Sequence, residues 1–316
     1  MIFQTLQQDT KVDMKVNNAV TIIDKIVIPH SAFIEAERRI QQCFRFSDEM
    51  VEPEGLAIVG ESGVGKTSSL KSFRLAHMPT HQSDGWRIPL LYASVPPQPT
   101  KRSLAGAMLA ALQDPNSEQG TADQKAQRLE VLMKGTGTRM VMIDEFQHFY
   151  SKDKQKTMYD VADWLKRLVD STRTVLVIAG LPSCLLVVQQ NEQLRRRFMN
   201  PVRLPRFDWE NLEQRREFMA ILKEFTRLLS EMYEMPALHT EDMAFRFYCA
   251  SGGLIGYVAK LLRQAVRNAI DEQTKFIALE DLHLAHMQAI FSHEATRDRT
   301  KPFERSFSLV ATVENS

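Results

Sequence analysis

Gly60, Glu61, Ser62, Gly63, Val64, Gly65, Lys66 and Thr67 follow one another in the pattern GxxxxGK[ST], an arrangement suited to holding phosphate. The glycines let the chain turn so that successive backbone N–H groups point inward at phosphate oxygens, and a helix opening behind them adds positive potential. Lys66 would reach the β- and γ-phosphates of ATP. Thr67 would place its hydroxyl on Mg2+, and Ser68 completes the nucleotide-binding set. Met140-Val141-Met142-Ile143-Asp144-Glu145 is an apolar run ending in two acids, a Walker B pattern. A buried strand would deliver Asp144 to the Mg2+ shell, where Glu145 would orient or deprotonate the attacking water. Gln147 and His148 would either sense the γ-phosphate or cap the next segment, and the sequence leaves both open.

Gln193-Leu194-Arg195-Arg196-Arg197-Phe198 places three arginines side by side, and burying all three would be costly. In a ring or filament of ATPases one of them would reach the γ-phosphate held by the next subunit, Arg197 ahead of Arg196; the plainer reading is a solvated basic turn. From Arg195 to Arg216 there are seven arginines against the acids Asp208, Glu210 and Glu213, a local excess suited to phosphate contacts or subunit pairing. Ser251-Gly252-Gly253-Leu254-Ile255-Gly256 opens a helix carrying Lys260 and Arg263, and would close over a nucleotide or simply turn between helices. Lys101 and Arg102 form a basic tip that would touch DNA phosphate or remain solvated. His77 and His81 have Pro79 between them and no carboxylate cluster, so they are not expected to bind metal.

These groups need a scaffold that brings strand ends and helix starts together. Ser31 to about Met50 has helical spacing, with Ser31 as N-cap. Gly55 to Val59 reads as a strand, followed by the phosphate loop and a helix to His77. Strands are then expected at Ile88 to Val95, Met140 to Ile143, Val175 to Ala179 and Val202 to Phe207. Helices fall between them near 103–112, 121–134 and 157–170. The alternation predicts an α/β fold, a doubly wound parallel sheet flanked by helices. Beyond Trp209 helical segments at about 211–230, 240–250, 254–271 and 279–293 follow without strands. The expected organisation is an N-terminal extension at 1–30, an α/β nucleotide-binding domain at 31–208, a smaller helical lid at 209–293 and a flexible tail at 294–316.

Composition agrees with a packed globular chain of 316 residues, 44% hydrophobic and 25% charged, and argues against disordered, collagen-like and disulfide-scaffold classes. Lys plus Arg is 40 and Asp plus Glu is 39, so any basic surface must be local. Cys43, Cys184 and Cys249 are odd in number and sit among apolar residues, as buried thiols in a reducing cytosol would. The start lacks a basic segment followed by an apolar one, so no signal peptide is expected. Val175 to Val188 is the longest apolar stretch and is broken by Gly180, Pro182 and Ser183, short of the roughly 20 residues a bilayer needs. The expectation is a cytoplasmic protein with no membrane partner.

A phosphate loop, a Walker B strand ending in Asp-Glu, an arginine cluster after the fourth strand and a helical lid together resemble an AAA+ ATPase over about residues 20–293. More narrowly, the chain resembles the TniB/TnsC group of bacterial transposition ATPases. The segments that carry this are Gly-Glu-Ser-Gly-Val-Gly-Lys-Thr, Ile-Asp-Glu-Phe-Gln-His, Ala-Gly-Leu-Pro, Gln-Leu-Arg-Arg-Arg-Phe and Gly-Gly-Leu-Ile-Gly-Tyr-Val-Ala-Lys-Leu-Leu-Arg. The resemblance implies a homo-oligomeric ring or filament, assembled with ATP around double-stranded DNA, that links a TniQ-like target selector to the transposase. Hydrolysis would then disassemble it. Two positions depart from the AAA+ pattern. Ala179-Gly180-Leu181-Pro182 offers no polar residue after the fourth strand, and the lid helix lacks the arginine of many relatives, leaving Lys260 or Arg263. Hydrolysis is therefore expected to be slow. The same motifs would also suit a helicase loader or initiator, or a nucleotide-gated scaffold with little turnover.

Overall fold

The computed structural model describes residues 23, 28–49, 52–153, 155–290 and 301–307. These form two compact units, residues 31–205 and a second made of residues from Arg206 onward together with those before Ser31. The division falls between Pro205 and Arg206, where the sequence places it after Asp208. Most of the expected N-terminal extension lies outside the described residues.

In the first unit the helices are α1 (Ser31–Phe46), α2 (Lys66–Leu75), α3 (Lys101–Ala111), α4 (Ala122–Gly135), α5 (Gln155–Thr172), α6 (Cys184–Val188) and α7 (Glu192–Arg197). Its strands are β1 (Gly55–Gly60), β2 (Thr80–Gln82), β3 (Gly85–Arg87), β4 (Leu90–Ser94), β5 (Met140–Asp144), β6 (Val175–Gly180) and β7 (Val202–Leu204). Five strands make a parallel sheet in the order β4-β5-β6-β1-β7. Its central strands are apolar throughout because both faces are covered. Ala57, Val59, Val141, Ile143, Leu176 and Ile178 share a core with α3 to α7. Leu56, Ile58, Met140, Met142, Val175 and Val177 alternate with them, on the face packed by α1 and α2. Thr100 and Thr121 cap α3 and α4 through reciprocal boxes with Ser103 and Gln124.

The register positions the chemistry. Val59 lies opposite Gly180, Ile143 opposite Ile178 and Ser94 opposite Asp144. The carboxyl ends of β1, β5 and β6 therefore share one edge. There the chain leaves β1 for the outermost strand and later returns past it to β7, the kind of strand-order reversal at which open α/β sheets bind ligands.

Two details differ from the sequence expectation. β2 and β3 form an antiparallel hairpin through Ser83-Asp84, with Gln82 opposite Gly85. β7 stops at Leu204 rather than Phe207, since Pro205 brings no N–H to a ladder.

The second unit contains α8 (Leu212–Leu229), α9 (Glu241–Ser251), α10 (Ile255–Asp271) and α11 (Leu279–Ala289). Phe218, Leu222, Phe225, Phe247, Val258, Leu261 and Leu282 form its core. The Ser251–Gly256 stretch makes the turn from α9 to α10. Gly253 has φ 78°, its carbonyl accepts from Phe207 N–H at 2.9 Å, and a Cβ there would run into the Phe207 carbonyl. Gly253→Ala is therefore expected to cost about 1–3 kcal/mol, read as a lower thermal midpoint. An unchanged midpoint would mean that the turn yields freely.

The expectation of a flexible tail is corrected for residues 301–307. Phe303 is buried against Phe247 and His286, and the Arg246 guanidinium donates to the carbonyls of Pro302, Glu304 and Phe307. A polar segment is held here because one buried arginine satisfies three backbone acceptors. Residues 294–300 and 308–316 of that tail lie outside the described residues.

Candidate nucleotide-binding site

Gly65 precedes α2, and no side chain caps the first N–H groups of that helix. The phosphate loop thus opens on a helix N-terminus that no capping side chain occupies, the kind of place that suits an anion. Lys66 is buried at this point, and its Nζ donates to the carbonyls of Gly60 at 2.9 Å and Glu61 at 2.6 Å. Burial pulls the Lys66 ammonium below the ordinary lysine value, a shift opposed by the charges of Glu145 and Asp144.

Asp144 is only 2% exposed at the end of β5. Its Oδ2 accepts from Thr67 Oγ1 at 2.7 Å and from the Tyr92 hydroxyl at 3.0 Å, and its Oδ1 accepts from Glu145 N–H at 2.8 Å. Thr67 and Asp144, far apart in sequence, thus bring two side-chain oxygens together beside the phosphate loop. That donor set suits Mg2+, which takes one or two protein oxygens together with phosphate and water.

Sequence reading missed Tyr92. Its signal is period two, because Tyr92 lies opposite Met142 and so shares a face with Asp144. Burial and the neighbouring Asp144 charge push the phenol well above its usual range, which keeps it a donor. Arg74 of α2 stacks over its ring.

Glu145 follows in the left-handed region, φ 57° and ψ 33°, an unusual conformation for a residue with a side chain. Its carboxylate accepts from Gln147 Nε2, with His148 Nε2 at 3.6 Å. The Gln147 Oε1 accepts from Leu181 N–H at 3.1 Å. Gln147 thus neither caps a helix nor lies free, because it joins the ends of β5 and β6. Burial pushes the neighbouring Cys184 thiol up to about 12, so it stays protonated.

The three arginines part company on α7. Arg197 is 14% exposed and pairs with Asp170 of α5 at 2.6 Å within the same chain. Arg196 is 73% exposed and, among the described residues, pairs with Glu192, one turn back on its own helix. Within this chain Arg196 thus extends outward, whereas Arg197 pairs with Asp170. Among the other candidates, Lys101 pairs with Asp123 at 2.7 Å and Arg102 is exposed. His77 stacks on Phe73, and His81 meets Trp86 edge-on. Lys260 and Arg263 lie on α10 in the second unit.

Residues 20–209, more than half of the chain, match the model of the family described as bacterial TniB protein. The chain belongs to the TniB family. A comparison with curated proteins finds no match. Solved structures extend the likeness of this TniB chain to its fold. The ORC2 protein of Aeropyrum pernix, in ADPNP-ADP complexes, matches with TM-score 0.58 at 14% identity, over 82% of this chain and 68% of that one. The ORC1 protein of the same organism, in complex with DNA, matches with TM-score 0.57 at 15% identity, over 83% of this chain and 66% of that one. Cdc6p of Pyrobaculum aerophilum matches with TM-score 0.55 at 14% identity, over 85% of this chain and 73% of that one. The chain spans about two thirds of the length of the first two. The fold is that of AAA+ ATPases, a parallel five-stranded sheet flanked by helices with further helices C-terminal to it. Among the described residues no helix is long and apolar enough to cross a membrane.

Proposed function

We propose that this TniB chain is an ATP-dependent regulator of DNA transposition that oligomerises on double-stranded DNA, links a TniQ-like target selector to the transposase, and is released by hydrolysis. The observation that carries the nucleotide part is the meeting of Thr67 with Asp144 beside the uncapped N-terminus of α2. Membership of the TniB family supports the transposition part.

In this reading the phosphate loop and Lys66 bind the triphosphate, with Lys66 exchanging its two carbonyl partners for β- and γ-phosphate oxygens. Thr67 and Asp144 would hold Mg2+, which when bound would neutralise phosphate charge. Glu145 takes the proton of a water whose oxygen forms a bond to the γ-phosphorus. The bond from that phosphorus to the bridging oxygen breaks, and its electron pair leaves with ADP. Arg196, from a neighbouring copy, stabilises the charge that develops.

Phosphate release from ATP, measured with and without double-stranded DNA, and co-purification with the transposase and TniQ-like protein in ATP and in ADP, test the whole reading. DNA-stimulated release and ATP-dependent co-purification are expected. Turnover indifferent to DNA, with no capture of either partner in any nucleotide, would contradict it.

The arginine assignment gives its own expected result. Arg196→Ala should lower DNA-stimulated hydrolysis by about 10³-fold or more while the monomer keeps its thermal midpoint. Arg197→Ala should instead destabilise the fold by about 1–3 kcal/mol, since it leaves the half-buried Asp170 without its main partner. The opposite pairing of effects would return the trans role to Arg197.

A further inference from the structure

β6 is apolar to its end, Val-Leu-Val-Ile-Ala-Gly, so it brings no side-chain donor or acceptor to the edge where the Walker B acids sit. The structure supplies one from elsewhere. Gln147, in the 3-10 turn Phe146–Phe149, donates through Nε2 to Glu145 and accepts through Oε1 from Leu181 N–H. We propose that Gln147 is the positioning residue for Glu145, and that its amide does from the β5 side what a polar side chain at the end of β6 would do. The inference rests on the ATPase reading above and deepens it.

Three observations converge on this. Glu145 sits in a backbone conformation that costs energy for a residue with a side chain, so its orientation needs outside support, and Gln147 provides a side-chain donor to its carboxylate. Gly180 makes room for the arrangement, because a Cβ there would run into Oε1 of Gln147, with Gln147 N at 3.1 Å and Cys184 Cβ at 3.3 Å also close. Finally, Leu181, whose N–H anchors the far side of the amide, opens the segment that runs through α6 to α7 and Arg196. Gln147 thus ties the Glu145 carboxylate to the start of the segment that carries Arg196.

The test is a set of variants in the full chain, read by steady-state kinetics and by hydrogen exchange of nucleotide-free protein. Gln147→Ala is expected to lower kcat by about 10–100-fold, with KM for ATP within about twofold, because a misplaced base loses rate rather than substrate binding. Gly180→Ala retains Gln147 but displaces its amide, and should lower kcat in the same way. The double variant should be no slower than the slower single one, since both break one link. Amide exchange over residues 178–186 should rise in Gln147→Ala without nucleotide and stay unchanged in Glu145→Gln. An unchanged kcat in Gln147→Ala, where Glu145→Gln is inactive, would overturn the inference and leave the ATPase reading standing. A raised KM and a lower thermal midpoint with kcat intact would also overturn it, as a packing role predicts. Turnover indifferent to Glu145→Gln would remove Glu145 as the base, and this inference with it, while absence of any ATP turnover in the wild type would remove the ATPase reading.

Discussion

Glu145→Gln is expected to lower ATP hydrolysis by about 10²–10⁴-fold, the loss of a general base, while ATP-dependent assembly on DNA persists. The substitution is suited to the site. Glutamine keeps an oxygen that can accept from Gln147 Nε2, so the strained backbone at φ 57° loses little support. It removes only the negative charge and the basicity. The separation of the two effects is the informative part, because a residue that merely held the fold would weaken assembly and hydrolysis alike. Phosphate release, and sedimentation with DNA in ATP, measure the two sides. Hydrolysis at the wild-type rate would show that the proton goes elsewhere.

Lys66→Ala should weaken ATP binding by about 10²-fold or more, the worth of one or two hydrogen bonds from a charged group, and assembly should disappear with it. The fold should tolerate the change. Burial holds the Lys66 ammonium below its ordinary value, so the charged form is disfavoured in the folded state. The sign follows from linkage: a lysine depressed by folding binds fewer protons folded than unfolded near its folded value. It therefore penalises the fold below that value, and the penalty is relieved as pH rises through it. Removing the group relieves the same penalty, offset by the loss of its bonds to Gly60 and Glu61. A thermal midpoint close to wild type with ATP binding lost would therefore support a ligand-directed lysine. A large fall in midpoint would make Lys66 a structural tie.

The parts of this molecule that were legible in the sequence are those in which one local signal decides. Strands β1, β5 and β6 are continuous apolar runs because helices cover both faces, and the phosphate loop announces itself between a strand and a helix. The hairpin at 80–87 was hidden because its strands are short and largely exposed, and its turn, Ser83-Asp84, carries no glycine. Tyr92 was missed because its neighbourhood with Asp144 is a matter of register between strands, which composition does not carry. Which of Arg195, Arg196 and Arg197 meets Asp170 depends on the helix face turned to α5, a tertiary fact that the run of three arginines does not carry. Gln147 was visible but ambiguous, since its role depends on β6 lying next to β5. The buried Arg246 that gathers residues 301–307 was equally invisible, because its acceptors are backbone carbonyls.

The most direct test of the central claim is electron-microscopic imaging of the purified protein with double-stranded DNA, in ATP, a non-hydrolysable analogue or ADP, beside Lys66→Ala. Rings or filaments on DNA that require a triphosphate and Lys66 are the expected result. A monomer indifferent to DNA in every nucleotide would contradict the claim and leave a nucleotide-binding scaffold in its place.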